Sequence, residues 1–242
     1  LRANRIVLLA YYIAAINIEA TFHDLHQDDY VPFNGIVLTD TFQMAEDTGT
    51  LDAKLFPENH ARVARQKAQD IRVIVGNPPY SAGQTSQNDA NQNQPYPALD
   101  QRIERTYVAA SSAVLNRSNY DSYVRAIRWA SDRIGAEGVV CFVSNGGWIE
   151  SNSADGIRKV LAEEFGTIYV YNLRGNARRA GEQRRKEGGN VFGAGSRATV
   201  AITLLIRTRQ SAPECKIHYR DIGDYLTSEP KRDRVAGHSL PT

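Results

Sequence analysis

The hydrophobic residues of this chain are concentrated in short runs that alternate with longer amphipathic stretches. The runs are rich in β-branched residues and have the length of strands, at 35–40, 71–75, 138–144, 167–172 and 198–206. The stretches predicted to be helices are 59–70, 99–115, 120–134 and 153–165. Within 120–134, the residues that share one helical face are Tyr120, Tyr123, Ile127 and Ala130. Strands that alternate with helices predict an α/β fold built on a parallel sheet.

The N-terminal run at 6–22 is apolar on nearly every side and rich in alanine. It is predicted to begin at the end of a strand and to continue as a helix. Because such a helix offers little polar surface, we expect it to be covered on most sides and to belong to the core.

The strand at 71–75 leads directly into the sequence Gly-Asn-Pro-Pro-Tyr. Ile71, Val73, Ile74 and Val75 form an apolar run that is typical of a strand covered on both faces, and Gly76 allows a sharp bend after it. Two prolines fix φ at about −65° and have no N–H. The carbonyls of Asn77 and Pro78 are therefore left as acceptors in a stiff turn, and Tyr80 adds an aromatic face beside them.

A turn of this kind suits a planar group that carries an NH2, such as adenine. The amine of adenine is a weak nucleophile because its lone pair is delocalised into the ring. Two acceptors on its hydrogens favour a more tetrahedral nitrogen, which frees the lone pair to attack an electrophile such as a methyl sulfonium. The alternative is that the prolines only stiffen a turn that closes a strand.

Two further polar segments follow predicted strands at the edge of the sheet where ligands of open α/β folds bind. Asp40 ends the run at 35–40, and the alternative is that it only caps the segment after it. Residues 145–148 follow the strand at 138–144, and Trp148 among them is expected in the core rather than in the site.

Two segments are predicted to be flexible loops. Residues 81–98 are rich in Gln, Asn and Ser, which fits either a linker or a loop that becomes ordered over bound nucleic acid. Residues 173–197 combine glycines with basic side chains, and Phe192 among the glycines is placed to stack on an unpaired base. The candidates for contacts with phosphates are Arg178, Arg179, Arg184, Arg185, Lys186 and Arg197. The alternative for this cluster is a solvated surface.

The composition is that of a globular domain, with 242 residues of which 42% are hydrophobic, enough for one substantial core. The formal net charge of +2 does not by itself indicate a polyanionic partner. Cys141 and Cys215 lie in apolar runs without metal-binding spacing, which predicts free buried thiols and no metal site. No apolar run reaches the roughly 18 residues that span a bilayer, so we expect no membrane segment and a cytoplasmic location. The chain begins with Leu1 and its single methionine is Met44, so we expect a fragment of a longer protein.

Seven segments together resemble successive motifs of the γ-type N6-adenine DNA methyltransferases of restriction-modification systems. They are IVLLAYYIAAINIE, LTDTF, VGNPPYSAGQ, YDSYVRAIRWASDRI, VSNGGWI, NLRGN and GGNVFGAGSR. The resemblance covers nearly the whole chain. It is greatest to the methyltransferase part of the type ISP restriction enzymes, in which nuclease, helicase-like, methyltransferase and target-recognition parts share one polypeptide.

The resemblance implies a Rossmann-like, S-adenosylmethionine-dependent methyltransferase sheet with helices on both faces, incomplete at the N-terminus. It implies one catalytic domain over 1–242, in which 207–242 begins the link to a following domain. The partners that it implies are double-stranded DNA, an upstream helicase and nuclease segment, and a downstream target-recognition segment of the same chain.

The residues that the resemblance assigns to the target adenine are Asn77, Pro78, Pro79 and Tyr80, with Phe192 stacking on the base. Asp40 would contact the adenine moiety of S-adenosylmethionine, which passes its methyl group directly to the amine. Arg5 falls at the cofactor position where related sequences have an acidic residue for the ribose hydroxyls, although a guanidinium only donates hydrogen bonds.

The glycine-rich first strand of the family is absent from this sequence and is expected upstream of Leu1. Strands of the family are ordered 3-2-1-4-5-7-6, so the absent strand would lie beside 71–75. We therefore predict that 71–75 pairs on one side with 139–143. Its other edge would be filled by a segment outside this numbering or left open.

Two other functions remain open from the sequence. A protein-glutamine N5 methyltransferase shares Gly-Asn-Pro-Pro-Tyr but does not need the polar loops at 81–98 and 173–197. A non-catalytic DNA-binding or scaffolding module is favoured by the absent glycine-rich motif and by Arg5.

Overall fold

The computed structural model describes residues 3–5, 7–26, 29–46, 56–79, 95–113, 120–193, 197–209 and 214–237. Contacts divide the chain into two compact units. Unit 1 consists of Leu1–Asp70 with Tyr96–Leu99, and unit 2 consists of Ile71–Pro95 with Asp100–Thr242. The expectation that 1–242 forms one methyltransferase domain stays a prediction.

Unit 1 is built on a two-stranded parallel sheet. Strand β1 (Ala3–Arg5) pairs with β2 (Ile36–Leu38), and the side chain of Ile36 is 1% exposed. The helical elements of the unit are α1 (Leu8–His26), a 3-10 turn (Gln43–Ala45) and α2 (Pro57–Ala68). Small sheets of this kind need a covering helix to be stable.

The segment Tyr96–Leu99 belongs to unit 1 because of a buried carboxylate. Glu46 accepts hydrogen bonds from the backbone N–H groups of Ala98 at 2.9 Å and Leu99 at 3.1 Å. These residues form the first turn of α3 (Pro97–Ile103), where a negative charge is stabilised by the unpaired N–H groups of the helix.

The prediction that the N-terminal run forms a core helix is wrong for the residues that the structure describes. The run does form α1, but the helix has no buried residue, and Leu9 and Ile16 are 69% and 63% exposed. Hydrophobicity alone predicts burial, whereas burial also requires a surface to pack against. Two strands of three residues each provide little such surface.

Unit 2 contains a five-stranded mixed sheet in the order β3-β4-β6-β5-β7. The strands are β3 (Val73–Gly76), β4 (Gly138–Asn145), β5 (Thr167–Arg174), β6 (Val200–Arg207) and β7 (Lys216–Asp221). β6 is antiparallel to both of its neighbours, and the other pairs are parallel. The predicted α/β fold is confirmed, although the sheet is mixed rather than wholly parallel because β6 runs against both of its neighbours.

Unit 2 also contains several helical elements. They are the rest of α3, which continues as a π-helical turn (Glu104–Val108), and α4 (Ser122–Arg133), α5 (Gly147–Glu150), α6 (Asp155–Glu164), α7 (Gly181–Glu187) and α8 (Ser228–Ala236). In α4, Tyr123, Ile127 and Ala130 are buried together, as their spacing predicts. The helix predicted at 99–115 ends earlier, at Val108.

Strand β3 lies at the edge of the sheet. It pairs with β4, Val73 opposite Val139, which confirms the predicted pairing. No strand in the described part of the chain pairs with the other edge of β3, and β2 pairs with β1 instead. The prediction that both faces of this strand are covered is wrong, because Val73 and Val75 are 64% and 74% exposed. The described helices leave the face that bears these two valines open.

Regular structure is found in two segments that were expected to be a flexible loop and the start of a link to a following domain. Residues 173–197, expected to be a flexible loop, include α7. Residues 207–242, expected to begin a link, form β7, which pairs with β5, and α8, which buries Lys231 completely. Of the predicted loop at 81–98, residues 81–94 lie outside the described residues.

The two cysteines differ from their prediction. Both thiols are free, but Cys141 in β4 and Cys215 before β7 are half-buried rather than buried. Among the described residues, no helix is long and apolar enough to cross a bilayer. The same residues contain no group of His, Cys, Asp or Glu side chains that could hold a metal ion.

Candidate active site

The Asn-Pro-Pro turn follows β3 at the carboxyl edge of the unit 2 sheet. Gly76 ends the strand against Phe142 of β4, and a Cβ at Gly76 would lie 3.1 Å from that ring. Asn77 is exposed, and its carboxamide has no hydrogen-bond partner among the described residues. The turn therefore presents open acceptors at the sheet edge. Tyr80, the last residue of the motif, lies outside the described part of the chain.

A polar segment follows β4 at the same edge of the sheet, because β3 and β4 are parallel. The side chain of Asn145 accepts a hydrogen bond from the N–H of Gly147 at 2.8 Å, and the N–H of Gly146 donates to the carbonyl of Thr199 at 3.0 Å. These bonds fix the start of α5. Trp148 is 4% exposed and lies in the core, as predicted.

Two adjoining cavities open beside this segment, with volumes of about 210 and 280 Å³. Both are lined by Gly147, Ser151, Asn176 and Thr199. Arg178 and Asp121 line the smaller cavity, and Arg179 and Glu187 line the larger. The cleft is thus polar and carries charges of both signs. The sequence analysis missed Asn176 and Thr199, because only the fold brings the ends of β5 and β6 to this edge.

The basic residues of 173–197 fall into two groups. Several are already engaged: Arg179 pairs with Glu150 at 2.8 Å, Arg184 donates to the carbonyl of Gly188 at 2.5 Å, Arg185 lies 3.5 Å from Glu182, and Lys186 lies 3.9 Å from Asp224. The guanidinium groups of Arg178 and Arg197 have no partner among the described residues. Of the predicted phosphate contacts, these two are the most available.

Phe192 is held on an ordered turn. Its ring is 55% exposed, while its backbone N–H donates to the side-chain oxygen of Asn190 at 3.0 Å. Asn190 is itself buried, and its side-chain N–H donates to the carbonyl of Ala198 at 3.0 Å. The N–H of Gly193, with φ of 79°, closes the turn on the carbonyl of Asn190. Asn190 therefore fixes the backbone from which the exposed ring projects.

The two candidate cofactor residues belong to unit 1. Both oxygens of the Asp40 carboxylate accept hydrogen bonds, one from the N–H of Phe42 at 2.9 Å and one from the hydroxyl of Tyr96 at 2.7 Å. The first bond is the local cap that the sequence left as an alternative. Arg5 ends β1 opposite Leu38, at the same carboxyl edge that Asp40 follows. The rings of Phe42 and Tyr96 meet edge to face at 5.2 Å, an aromatic pair that the sequence analysis did not single out.

The residues present fit one part of S-adenosylmethionine. An ionised carboxylate has about four lone-pair sites. Asp40 therefore retains acceptors for an adenine amine after its two bonds within the chain. The ring of Phe42 packs edge to face on Tyr96, whose hydroxyl binds that carboxylate, and so adds an apolar surface to the same part of unit 1. The fit concerns only the adenine end of the cofactor.

The class of protein follows from this fold together with its sequence. Residues 7–178 match the model of the Eco57I restriction-modification methylase family, and the chain belongs to that family. A comparison with curated proteins found no match.

Solved structures of restriction-modification enzymes contain a closely similar domain. A nuclease-deletion mutant of the type ISP enzyme LlaGI, in complex with a DNA substrate mimic, is 51% identical with a TM-score of 0.91 over 97% of this chain. The ATP-dependent type ISP enzyme LlaBIII bound to DNA is 44% identical with a TM-score of 0.90, again over 97%. The DrdV–DNA complex is 40% identical with a TM-score of 0.90 over 99%. This chain spans 19%, 16% and 23% of those chains, respectively.

Proposed function

We propose that this chain is the part of a restriction-modification enzyme that transfers a methyl group from S-adenosylmethionine to the N6 amine of adenine in DNA. The observation that carries the proposal is the Asn77–Pro79 turn. It lies at the carboxyl edge of the sheet of a restriction-modification methylase. Asn77 in this turn is exposed, and its carboxamide has no hydrogen-bond partner among the described residues.

The turn supplies acceptors at the amine. The side-chain oxygen of Asn77 and the carbonyl of Pro78 would accept the two N6 hydrogens and so favour a nitrogen with an available lone pair. The lone pair of that nitrogen would form the new N–C bond, S-adenosylhomocysteine would leave as a neutral thioether, and one N6 proton would pass to water. S-adenosylmethionine supplies the electrophilic methyl group. No covalent link to the protein is needed.

Unit 1 would contribute to holding the cofactor. Asp40 would accept the amine of the cofactor's adenine in addition to its two bonds within the chain, with the Phe42 ring as an apolar neighbour. For the Arg5 position we propose donation to a ribose hydroxyl oxygen, since a guanidinium cannot accept.

DNA is the proposed substrate, as it is the bound molecule in the LlaGI, LlaBIII and DrdV structures. The exposed ring of Phe192 is suited to stacking on an adenine that has left the duplex, because base flipping removes the stacking neighbours from both faces of the base. We further propose double-stranded DNA and the remaining segments of a longer restriction-modification enzyme as partners of this domain.

The decisive test is Asn77→Ala in the complete protein, with methylation of DNA measured by transfer of a labelled methyl group. Loss of one catalytic hydrogen bond typically costs about 2.7–4 kcal/mol, so we expect a rate at least about a hundredfold lower. Binding of S-adenosylmethionine by calorimetry should be nearly unchanged, because Asn77 is proposed to act on the amine. Asn34→Ala, an exposed asparagine in unit 1, is the matched control. Activity above a tenth of wild type would reject the assignment of Asn77.

A second experiment tests the binding of DNA phosphates. Arg178→Ala combined with Arg197→Ala should weaken binding and flatten its salt dependence by about 0.9 log–log units for each phosphate that is no longer neutralised. Arg185→Ala is the control, because Arg185 lies beside Glu182. If the double variant and the control have the same slope as wild type, the cluster is a solvated surface.

One observation favours a non-catalytic DNA-binding module as the second candidate. Both oxygens of Asp40 are already used within the chain, so the cofactor must share them. Absence of S-adenosylmethionine binding together with intact DNA binding would select that candidate. A protein-glutamine methyltransferase would instead methylate a release-factor peptide and not DNA.

A further inference from the structure

Lys231 of α8 is completely buried, with 0% of its surface exposed. Its ammonium group donates to the carbonyl of Leu173 and to the carbonyl of Glu187, both at 2.8 Å. Leu173 lies at the end of β5, and Glu187 is the last residue of α7. One side chain therefore joins the two ends of the segment 174–186, which carries Arg178.

Glu187 also makes hydrogen bonds through its side-chain carboxylate. Its side-chain oxygen accepts the backbone N–H groups of Gly175 at 2.9 Å and Asn176 at 3.0 Å. The side chain of Asn176 in turn accepts the N–H of Arg178 at 3.0 Å. A continuous set of hydrogen bonds thus runs from the buried lysine to the cleft beside the sheet edge.

The chain entering α8 also holds the segment that leads to Phe192. The carbonyl of Leu226 accepts the N–H of Gly189 at 3.0 Å. Gly188 has φ of 67°, and a Cβ there would lie 2.0 Å from the same carbonyl oxygen, so only glycine permits this approach. Asn190 and Phe192 follow directly, so the backbone of the exposed ring begins at a point fixed by residues 226–231.

A buried ammonium group is costly unless it is well bonded. Burial lowers the pKa of Lys231 to about 8, although the nearby Glu187 carboxylate acts in the opposite direction. An apolar residue would avoid this cost, but it would leave the carbonyls of Leu173 and Glu187 without this donor. The lysine is therefore suited to fixing geometry rather than to filling space.

We propose that Lys231 is a positioning residue for methyl transfer, which holds Phe192 and the backbone at Arg178 in the arrangement that receives the flipped base. This inference rests on the proposed function of the site. Lys231 does not touch the substrate, and it acts through the backbone of 173–192.

The test compares Lys231→Met with Arg234→Gln in the complete protein. Arg234 lies on the same helix and also donates to a backbone carbonyl, but its acceptor is Ile222 at 2.7 Å, outside the segment that carries Phe192. For Lys231→Met we expect a DNA dissociation constant within about threefold of wild type and a single-turnover methylation rate about tenfold lower. Arg234→Gln should change neither. Equal loss in the two variants would mean that α8 acts only as a structural support, and would overturn the proposal.

Coupling to Phe192 is the readout that a general loss of stability would not produce. With 2-aminopurine at the target position, Phe192→Ala should change the fluorescence of the flipped base because its stacking partner is removed. Lys231→Met should change it in the same direction, and adding it to Phe192→Ala should have little further effect on rate. Independent, additive losses in rate would refute a positioning role.

Amide hydrogen exchange tests the same inference without methylation. In Lys231→Met, exchange in 174–192 should rise at least about tenfold, whereas in Arg234→Gln it should not. Unchanged exchange rejects the proposal even if the domain methylates DNA. If Asn77→Ala loses methylation and Lys231→Met methylates DNA as fast as wild type, the proposal for Lys231 is rejected while the proposed function stands. If Lys231→Met does not fold, Glu187→Ala removes the bonds to Gly175 and Asn176 while it keeps the backbone carbonyl that Lys231 binds, and the same outcomes apply.

Discussion

Helix α1 of unit 1 is apolar on nearly every side and helix α6 of unit 2 carries its apolar residues on one face, yet the two helices are buried to opposite degrees. None of the 19 residues of α1 is buried, whereas α6, with 10 residues, buries Gly156, Ile157, Val160 and Leu161. Gly156 allows α6 to approach the π-helical turn so closely that a Cβ would lie 1.9 Å from the carbonyl oxygen of Tyr107. The more hydrophobic helix is the less buried one, because burial depends on the surface that a unit offers.

The largest effect that tests this comparison is expected in α6. Ile157→Ala removes a side chain that is 1% exposed, and a large-to-small change in a packed core costs about 2–5 kcal/mol. The measurement is denaturant unfolding followed by tryptophan fluorescence, since both tryptophans, Trp129 and Trp148, belong to unit 2. A loss below about 1 kcal/mol would mean that α6 is packed no better than α1.

The second effect concerns the buried charge of unit 2. Burial holds the pKa of Lys231 at about 8 in the folded protein, below the ordinary value of 10.5. Between these pH values the unfolded chain binds more protons than the folded one, so the free energy of unfolding rises with pH. The difference in that free energy between wild type and Lys231→Met should therefore move in favour of wild type from about pH 8 to pH 10.5. A difference independent of pH across that window would show that burial does not depress this pKa.

Local sequence patterns were enough to predict much of unit 2. The strands β4, β5 and β6 and the buried face of α4 follow from runs and spacings within a few residues. The Asn-Pro-Pro turn was equally visible, because proline fixes the backbone where it stands.

The errors arose where an outcome depends on distant partners. The exposure of Val75 depends on which helices cover β3, and the engagement of Arg179 depends on Glu150, which is 29 positions away in the sequence. The roles of Lys231 and Asn190 were not foreseen for the same reason. A lysine in a short charged helix has the pattern of a solvated residue, and only the fold places the carbonyls of Leu173 and Glu187 around it.

The smallest effect is expected in α1. Ile16 is 63% exposed, so Ile16→Ala removes little buried surface, and exposed substitutions usually change stability by no more than about 0.5 kcal/mol. Alanine has a higher intrinsic helix propensity than isoleucine, so the substitution should not weaken the helix itself. Far-UV circular dichroism is the suitable probe, because the tryptophans lie in unit 2. The substitution is the same in kind as Ile157→Ala, so the two losses are directly comparable. If Ile16→Ala costs as much as Ile157→Ala, α1 is covered in the protein, and the contrast between the two helices disappears.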